Sequence, residues 1–242
     1  DLTIFITVPF DKIKFLCYKR PNNKQKGTVM KIVSPSVQIL TPLDGEQILR
    51  HIENCGRTCY QSYENKNEES HKKMIAMLIK SGHESVLEHF SISVKILTNV
   101  SCYKDITRHR AGTAFSIEST RFCSYNKDKF GNELKFLKPV NIQEGTDEYT
   151  VWQNCMQNIE DSYKEMANLG CKPDQLRMIL PHSIAAEVCM TANLRAWRHI
   201  FKMRCAKAAH PDVQVVMKMV LKEFHDKIPV VFDDLYNEFL GK

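Results

Sequence analysis

No apolar run in the sequence approaches the ~20 residues that a helix needs to cross a bilayer, so no membrane partner is expected. The first residues, Asp1-Leu-Thr-Ile-Phe-Ile-Thr-Val-Pro-Phe-Asp11-Lys12, have no basic stretch ahead of an interrupted apolar part. A secretory signal is therefore not expected, and the expected location is cytoplasmic. The nine cysteines include no Cys-x-x-Cys pair, and the nearest two are Cys55 and Cys59. They are odd in number and sit in apolar segments such as Val188-Cys189-Met190. That pattern argues against a disulfide framework or a zinc site, and for small buried hydrophobes in a reducing compartment. A broad basic surface is also lacking, although the net charge is +6. Residues 1–29 hold six Lys or Arg and two acids, a net of +4, which leaves +2 for the remaining 213 residues. A nearly balanced body does not suit a phosphate-backbone interface, and no nucleic-acid partner is expected.

What is present is ordinary for a folded domain. The chain has 242 residues, 43% hydrophobic and 26% charged, enough for one sizeable core. Arg20-Pro-Asn-Asn-Lys-Gln-Lys-Gly27 reads as a linker, and Met30-Lys-Ile-Val opens an apolar pattern. Residues 1–29 are therefore read as an N-terminal extension of unclear role, and 30–242 as the domain. Asp44 with Gln47 resembles a capping box, with Ile48, Leu49 and Ile52 inward. A second helix is expected over 69–81, with Met74, Met77, Leu78 and Ser81 on its core face and Gly82 as its stop. Phe90 to Ile96 alternates as a half-buried strand, and Val100 to Thr107 reads as a helix. Phe122–Asn126 and Leu134–Pro139 read as short strands around a turn at Lys127–Gly131. A long helix then presents Trp152, Cys155, Met156, Ile159, Tyr163 and Met166 inward and stops at Gly170. Ala186–Thr191 reads as a strand. Pro211 opens the last major helix, with Val213, Val216, Met217, Val220 and Phe224 inward and His210 at its cap or at a ligand. The fold class is α+β, mixed helices around a small antiparallel sheet.

The chemistry gathers around Arg108-His109-Arg110-Ala-Gly-Thr-Ala-Phe-Ser-Ile117-Glu118-Ser119-Thr120-Arg121. Arginine stays charged at biological pH and offers a planar fork for phosphate or carboxylate. Glycine in Ala111-Gly112-Thr113 lets backbone N–H groups approach a ligand, and Ser119 both donates and accepts. The stretch reads either as a nucleotide cradle or as a solvated basic turn. His83-Glu84-Ser85-Val86-Leu87-Glu88-His89 reads as a polar turn ahead of a strand, since His-x5-His is not a usual metal pair. Arg177, among apolar neighbours, needs an anion or a salt bridge if buried.

The order of these residues resembles the flavin-dependent thymidylate synthases. An Arg-His-Arg triplet, an eight-residue spacer (Ala111 to Glu118) and Ser119-Thr120-Arg121 form the longer variant of that family's signature. His83-Glu84-Ser85-Val86-Leu87-Glu88-His89 is similar to its His-Glu-Ser/Thr-x-x-Glu-His motif. Arg177-Met-Ile-Leu180-Pro181 and Asn193-Leu194-Arg195 are similar to Arg-x-x-Leu-Pro and Asn-x-Arg. The likeness runs from about Arg57 to Val220, with the motifs in order. Residues 1–29 have no counterpart.

The resemblance implies reductive methylation of dUMP to dTMP. Methylenetetrahydrofolate would be the carbon donor, NADPH the reductant and FAD the hydride carrier. It implies a homotetramer whose active sites are shared between subunits. It places Ser85, Glu88, Arg108, His109, Arg110, Glu118, Asn193, Arg195 and His199 at the flavin, and His83 near the folate. It places Asp105, Arg108, Glu118, Ser119, Arg121, Arg177 and Arg204 at the nucleotide. Arg204 takes the catalytic role of stabilising charge at N3 of the uracil. Asp105 stands where the family often has glutamine, and His199 where it commonly has asparagine. Either Ile117 or Glu118 fills the polar position before the serine; Glu118 is favoured because isoleucine cannot hydrogen-bond. No cysteine follows a proline, the context of the nucleophile in the folate-only thymidylate synthases, so a reduced flavin supplies the alternative route. A nucleic-acid binder using Arg108–Arg110 and the basic leader, and a flavoprotein that methylates uracil in RNA, remain the competing readings.

Overall fold

Alternation decides the central strand. Ile92, Val94, Ile96 and Thr98 fall on one side of a period-two chain and are fully buried, while the residues between them stay partly exposed. The computed structural model describes residues 30–123, 125 and 133–241. The extension read over 1–29 and the turn read over Lys127–Gly131 lie outside the described residues.

The strands are β1 Lys31–Val33, β2 Ser36–Ile39, β3 Ser91–Asn99, β4 Thr113–Ile117, β5 Lys135–Leu137 and β6 Ala185–Asn193. Four form an antiparallel sheet in the order β2-β3-β6-β4, and β1 pairs with β5 in parallel. The helices are α1 Gly45–Arg57, α2 Ser70–Lys80, α3 Val100–Ile106, α4 Asp147–Asn168, α5 Pro173–Leu176, α6 Leu194–Arg204, α7 Pro211–Lys227 and α8 Pro229–Phe239. The expected α+β class is the observed one.

Two cores hold these elements. The larger lies between the inner face of the four-stranded sheet and α1, α6, α7 and α8. Trp197, Phe201, Phe224 and Phe232 form a fully buried aromatic cluster there, with centroids 5.2–5.7 Å apart. The Trp197 indole N–H donates to the Ile92 carbonyl at 3.1 Å, so α6 is pinned to β3. The smaller core joins Met30, Phe136, Met156, Tyr163 and Leu176.

Helix ends follow their side chains. Asp44 accepts from Gln47 N at 3.1 Å, Asn99 from Cys102 N at 2.8 Å and Asn193 from Ala196 N at 2.8 Å, each satisfying an otherwise unpaired first-turn amide. His210 caps α7, its Nδ1 accepting from Asp212 N at 3.3 Å. The expected inward residues of α7 are all fully buried.

Several expectations need correction. On α2 the core face is His71 and Ile75, while Met77 is 58% exposed. His71 Nε2 bonds Glu46 at 3.0 Å and the Ser70 hydroxyl donates to buried Glu53 at 2.5 Å. These polar ties to α1 turn the helix about its axis, away from the face that apolar spacing selects. On α4 Cys155 is exposed, and Glu160 is buried instead, its carboxylate 2.9 Å from Lys164 Nζ. Phe122 lies in a turn and is 77% exposed, so the strand read from that position is absent where it is described. Only Cys102 and Cys205 are fully enclosed among the described cysteines; Cys59 and Cys155 are exposed. Arg177 is exposed on the turn after α5, so its charge carries no burial cost in the protomer. α8, which has no counterpart among the expected helices, follows α7 directly through Ile228, starts at Pro229 and buries Val231, Phe232 and Leu235.

Candidate active site

Three separated motifs converge on one cavity of about 580 Å³, lined by Glu84, Glu88, Arg108, His109, Arg110, Gly112, Asn193, Arg195, His199 and Lys202 among others. Strand β6 ends in Asn193 and runs straight into α6, so Arg195, His199 and Lys202 recur along one helical face. α3 ends at Ile106 and releases Arg108–Arg110 into the turn before β4. A 3-10 turn, Glu84–His89, closes the third side. Arg195 Nη1 donates to Glu88 Oε1 at 2.6 Å. Gly112 has φ +66°, and a Cβ there would stand 2.6 Å from Asn193 Nδ2. Glycine at this position allows both the turn and the close approach of Asn193.

Arg204 is half-buried and is not among the residues lining this cavity. Its Nε donates to His109 Nε2 at 2.9 Å and its Nη2 donates to the Asp105 carbonyl at 2.7 Å. The imidazole must therefore be neutral, with its remaining proton on Nδ1. Burial, and then the neighbouring Arg204 charge and His199, push the His109 pKa down to about 4. An ordinary histidine titrates near 6.5. The unfolded chain thus takes up this proton first, and the stability that neutral His109 contributes is complete above pH ~6.5 and lost as pH falls towards ~4. The expected result is an His109 ring that stays neutral at pH 6 while exposed histidines are largely protonated, read by ring-nitrogen NMR. A His109 midpoint near 6.5 would contradict the Arg204 hydrogen bond.

The other sequence-expected residues are placed elsewhere. Ser85, with His83, Met74, Met77, Tyr60 and Gly56, faces a second cavity of about 540 Å³. Tyr60, 86% exposed, stands at this opening. Glu118 faces a third cavity of about 680 Å³ beside β3 and β6, shared with Lys31, Lys95, Lys135 and Glu187. Its carboxylate accepts from Tyr125 Oη at 2.7 Å and from Glu187 N at 3.2 Å. Ile117, exposed at the end of β4, lines the same cavity. Ser119 begins the next turn, its carbonyl accepting from Cys123 N at 2.9 Å, and Arg121 and Arg177 are exposed. Asp105 lies 3.8 Å from Arg108 Nε. Ser119, Arg121 and Arg177 line none of the three cavities. The chain therefore brings Glu88, Arg108, His109, Arg110, Asn193, Arg195 and His199 to one cavity, with Arg204 bonded to His109 and Asp105 beside Arg108, while Ser85, Glu118, Ser119, Arg121 and Arg177 lie outside it. Sequence reasoning gave no role to Glu84 or Lys202, although Glu84 sits inside the motif and Lys202 falls seven residues after Arg195.

A small antiparallel sheet backed by helices, with an arginine-lined cleft at the strand-to-helix junction, defines an α+β protein. Residues 44–230 match the family model Thy1, thymidylate synthase complementing protein, and the chain belongs to that family. A flavin-dependent thymidylate synthase from Pyrococcus abyssi is 29% identical over 165 residues, which span 67% of this chain and 66% of that protein. One from Mycolicibacterium vanbaalenii is 27% identical over 218 residues, 83% of this chain and 84% of its own. Among solved structures, the UMP/dUMP methylase PolB from Streptomyces cacaoi with 5-Br dUMP superposes with a TM-score of 0.68 at 18% identity, covering 87% of this chain and 98% of that one. Thymidylate Synthase X from Helicobacter pylori with FAD and dUMP gives 0.67 at 19% identity, covering 83% and 98%. These two share the fold.

Proposed function

We propose that the chain is a flavin-dependent thymidylate synthase, converting dUMP to dTMP with methylenetetrahydrofolate as carbon donor and NADPH as reductant. The convergence of the His83–His89, Arg108–Gly112 and Asn193–His199 segments on one cationic cavity carries this reading. Its lining suits FAD. Arg108, Arg110, Arg195 and Lys202 outnumber Glu84 and Glu88, so an anionic pyrophosphate is favoured there. Glycine at position 112 also lets the backbone come close to the ligand. Reduced FAD, when bound, supplies the hydride that completes the methyl group.

The protein's own part is binding, orientation and charge. Ser119, Arg121 and Arg177 clamp the dUMP phosphate, and Arg204 stabilises the negative charge left when N3 of the uracil loses its proton, which makes C5 more nucleophilic. Glu118 braces the turn that carries Ser119. His109, held neutral, adds no second positive charge beside Arg204. Because Ser119, Arg121 and Arg177 lie outside the cavity whose His109 is bonded to Arg204, the site is completed by other copies of the chain in a homotetramer. Residues 30–242 form the catalytic domain; Met30 is tied into it by its N–H, which donates to Gln157 Oε1 at 3.0 Å. None of the described helices is long and apolar enough to cross a membrane, in keeping with a cytoplasmic enzyme.

The test is a flavin absorption spectrum of the purified oligomer followed by tritium release from [5-³H]dUMP. The expected result is release that requires FAD, NADPH and methylenetetrahydrofolate together. A colourless protein that takes up no FAD and releases no tritium would overturn the reading.

A further inference from the structure

Helix α6 carries three arginines of different kinds. Arg195 reaches into the cavity and Arg204 grips His109, while Arg198, between them, faces the protein interior. It is 1% exposed, and nothing in the sequence motifs gives it a role. Its guanidinium is nonetheless the most heavily engaged in this region. Nε donates to Glu84 Oε1 at 3.1 Å, Nη1 to Asp234 Oδ1 at 2.7 Å and Nη2 to Asp234 Oδ2 at 2.6 Å. Nη1 also donates to the Val231 carbonyl. Glu84 has a second cation, Lys202, at 3.7 Å. Two arginine-bound carboxylates from two different elements thus meet one buried fork, a geometry that lysine cannot reproduce.

Glu84 opens the 3-10 turn whose residues face two cavities. Glu84 and Glu88 line the cavity with Arg108 and Arg195, while His83, Ser85 and Val86 line the one with Met77 and Tyr60. The turn is a thin partition. A 3-10 segment of this length has poor hydrogen-bond geometry of its own, and only Leu87 of its residues is buried. Beyond the packing of Leu87 in the main core and the bond between His51 Nε2 and the His89 carbonyl at 3.2 Å, its position relative to α6 is set by two side-chain ties: the half-exposed Glu88–Arg195 pair at one end and, at the other, the more buried Glu84–Arg198 pair, with Arg198 1% and Glu84 16% exposed. An exposed pair contributes little, whereas a buried pair loses strongly when one partner is removed. The buried tie dominates.

We propose that Arg198 is a positioning residue of the cofactor site. From inside the core, with Asp234 of α8 orienting its guanidinium, it fixes the Glu84–His89 turn against α6, and so sets the width of the cleft that receives the flavin. The proposal deepens the flavin reading above and rests on it. Asp234 is the useful handle, because its side chain is half-exposed and lines neither cavity.

The test compares the wild-type oligomer with Asp234→Asn and Arg198→Lys at a temperature where thermal unfolding shows all three fully folded. Two quantities are read: the FAD dissociation constant, and the amide hydrogen exchange of residues 84–89 without ligand. Weakening is expected in both variants, by about tenfold in affinity for Arg198→Lys, the low end of the ~10–100-fold that loss of an outer partner costs at metal sites, and by less for Asp234→Asn. Exchange at 84–89 is expected to quicken while the sheet strands keep their protection. If wild type binds FAD and both variants match it in affinity and in exchange, the positioning role is overturned while the flavin reading stands. If wild type takes up no FAD, the flavin reading falls and the proposal falls with it. Uniformly faster exchange across the whole chain would also overturn it, since that is loss of general stability.

Discussion

Arg204→Ala is expected to lower thymidylate formation by about 10²–10³-fold, the cost of removing one preorganised charge donor from a developing anion, while flavin uptake is retained. The second half of that statement comes from geometry. Arg204 does not line the cationic cavity and spends its donors on His109 Nε2 and the Asp105 carbonyl. A second consequence separates this variant from a general loss of structure. Burial is the first cause of the low His109 pKa, and Arg204's charge is the next. Without that charge the His109 pKa rises from about 4 towards the ordinary histidine value. Steady-state kinetics, flavin titration and an NMR titration of His109 check the three parts. Loss of flavin together with activity would move Arg204 from the nucleotide to the cofactor.

Gly112→Ala is expected to damage both the fold and the site. A left-handed backbone costs a residue with a Cβ about 1–2 kcal/mol, and Gly112 sits at φ +66°. The new Cβ also meets Asn193 Nδ2 at 2.6 Å. The asparagine cannot swing aside freely, because its Oδ1 caps α6 through Ala196 N and such a cap is worth roughly 1 kcal/mol. The combined loss of about 2–3 kcal/mol corresponds to a fall of ~5–10 °C in Tm for a chain of this size. FAD affinity should fall as well, since Arg110 and Asn193 both shift. A variant with wild-type Tm and wild-type flavin binding would show that the turn is not under this constraint.

Much of the site was legible because its parts are contiguous in the chain. Arg108 to Arg121 names its own arginines and the glycine between them, and alternation in β3 fixes which side faces the core. What could not be read depends on partners distant in sequence. Apolar spacing turned Met77 inward, but the tie from Glu46 to His71, 25 positions away, sets the rotation of α2. Arg195 and Arg198 are alike as letters three apart on one helix. Only the arrival of α8 with Asp234 makes one a buried anchor and leaves the other at the cleft. Arg177 reads as an arginine in an apolar segment, yet the turn after α5 places it in solvent on the protomer. Its neighbour Met178 is exposed as well, a pairing that composition cannot distinguish from burial.

The most direct measurement takes two variants expected to be strongly impaired alone, Arg204→Ala and Arg121→Ala, and mixes their subunits by partial dissociation and reassembly. Arg204 is bonded to the cavity residue His109, whereas Arg121 lies outside that cavity, so under the proposed shared site the two meet at one nucleotide across a subunit boundary. Mixed oligomers are therefore expected to recover tritium release from [5-³H]dUMP, because some sites draw both intact residues from different chains. Mixtures no more active than the separate variants would contradict a thymidylate-forming centre assembled between copies of this chain.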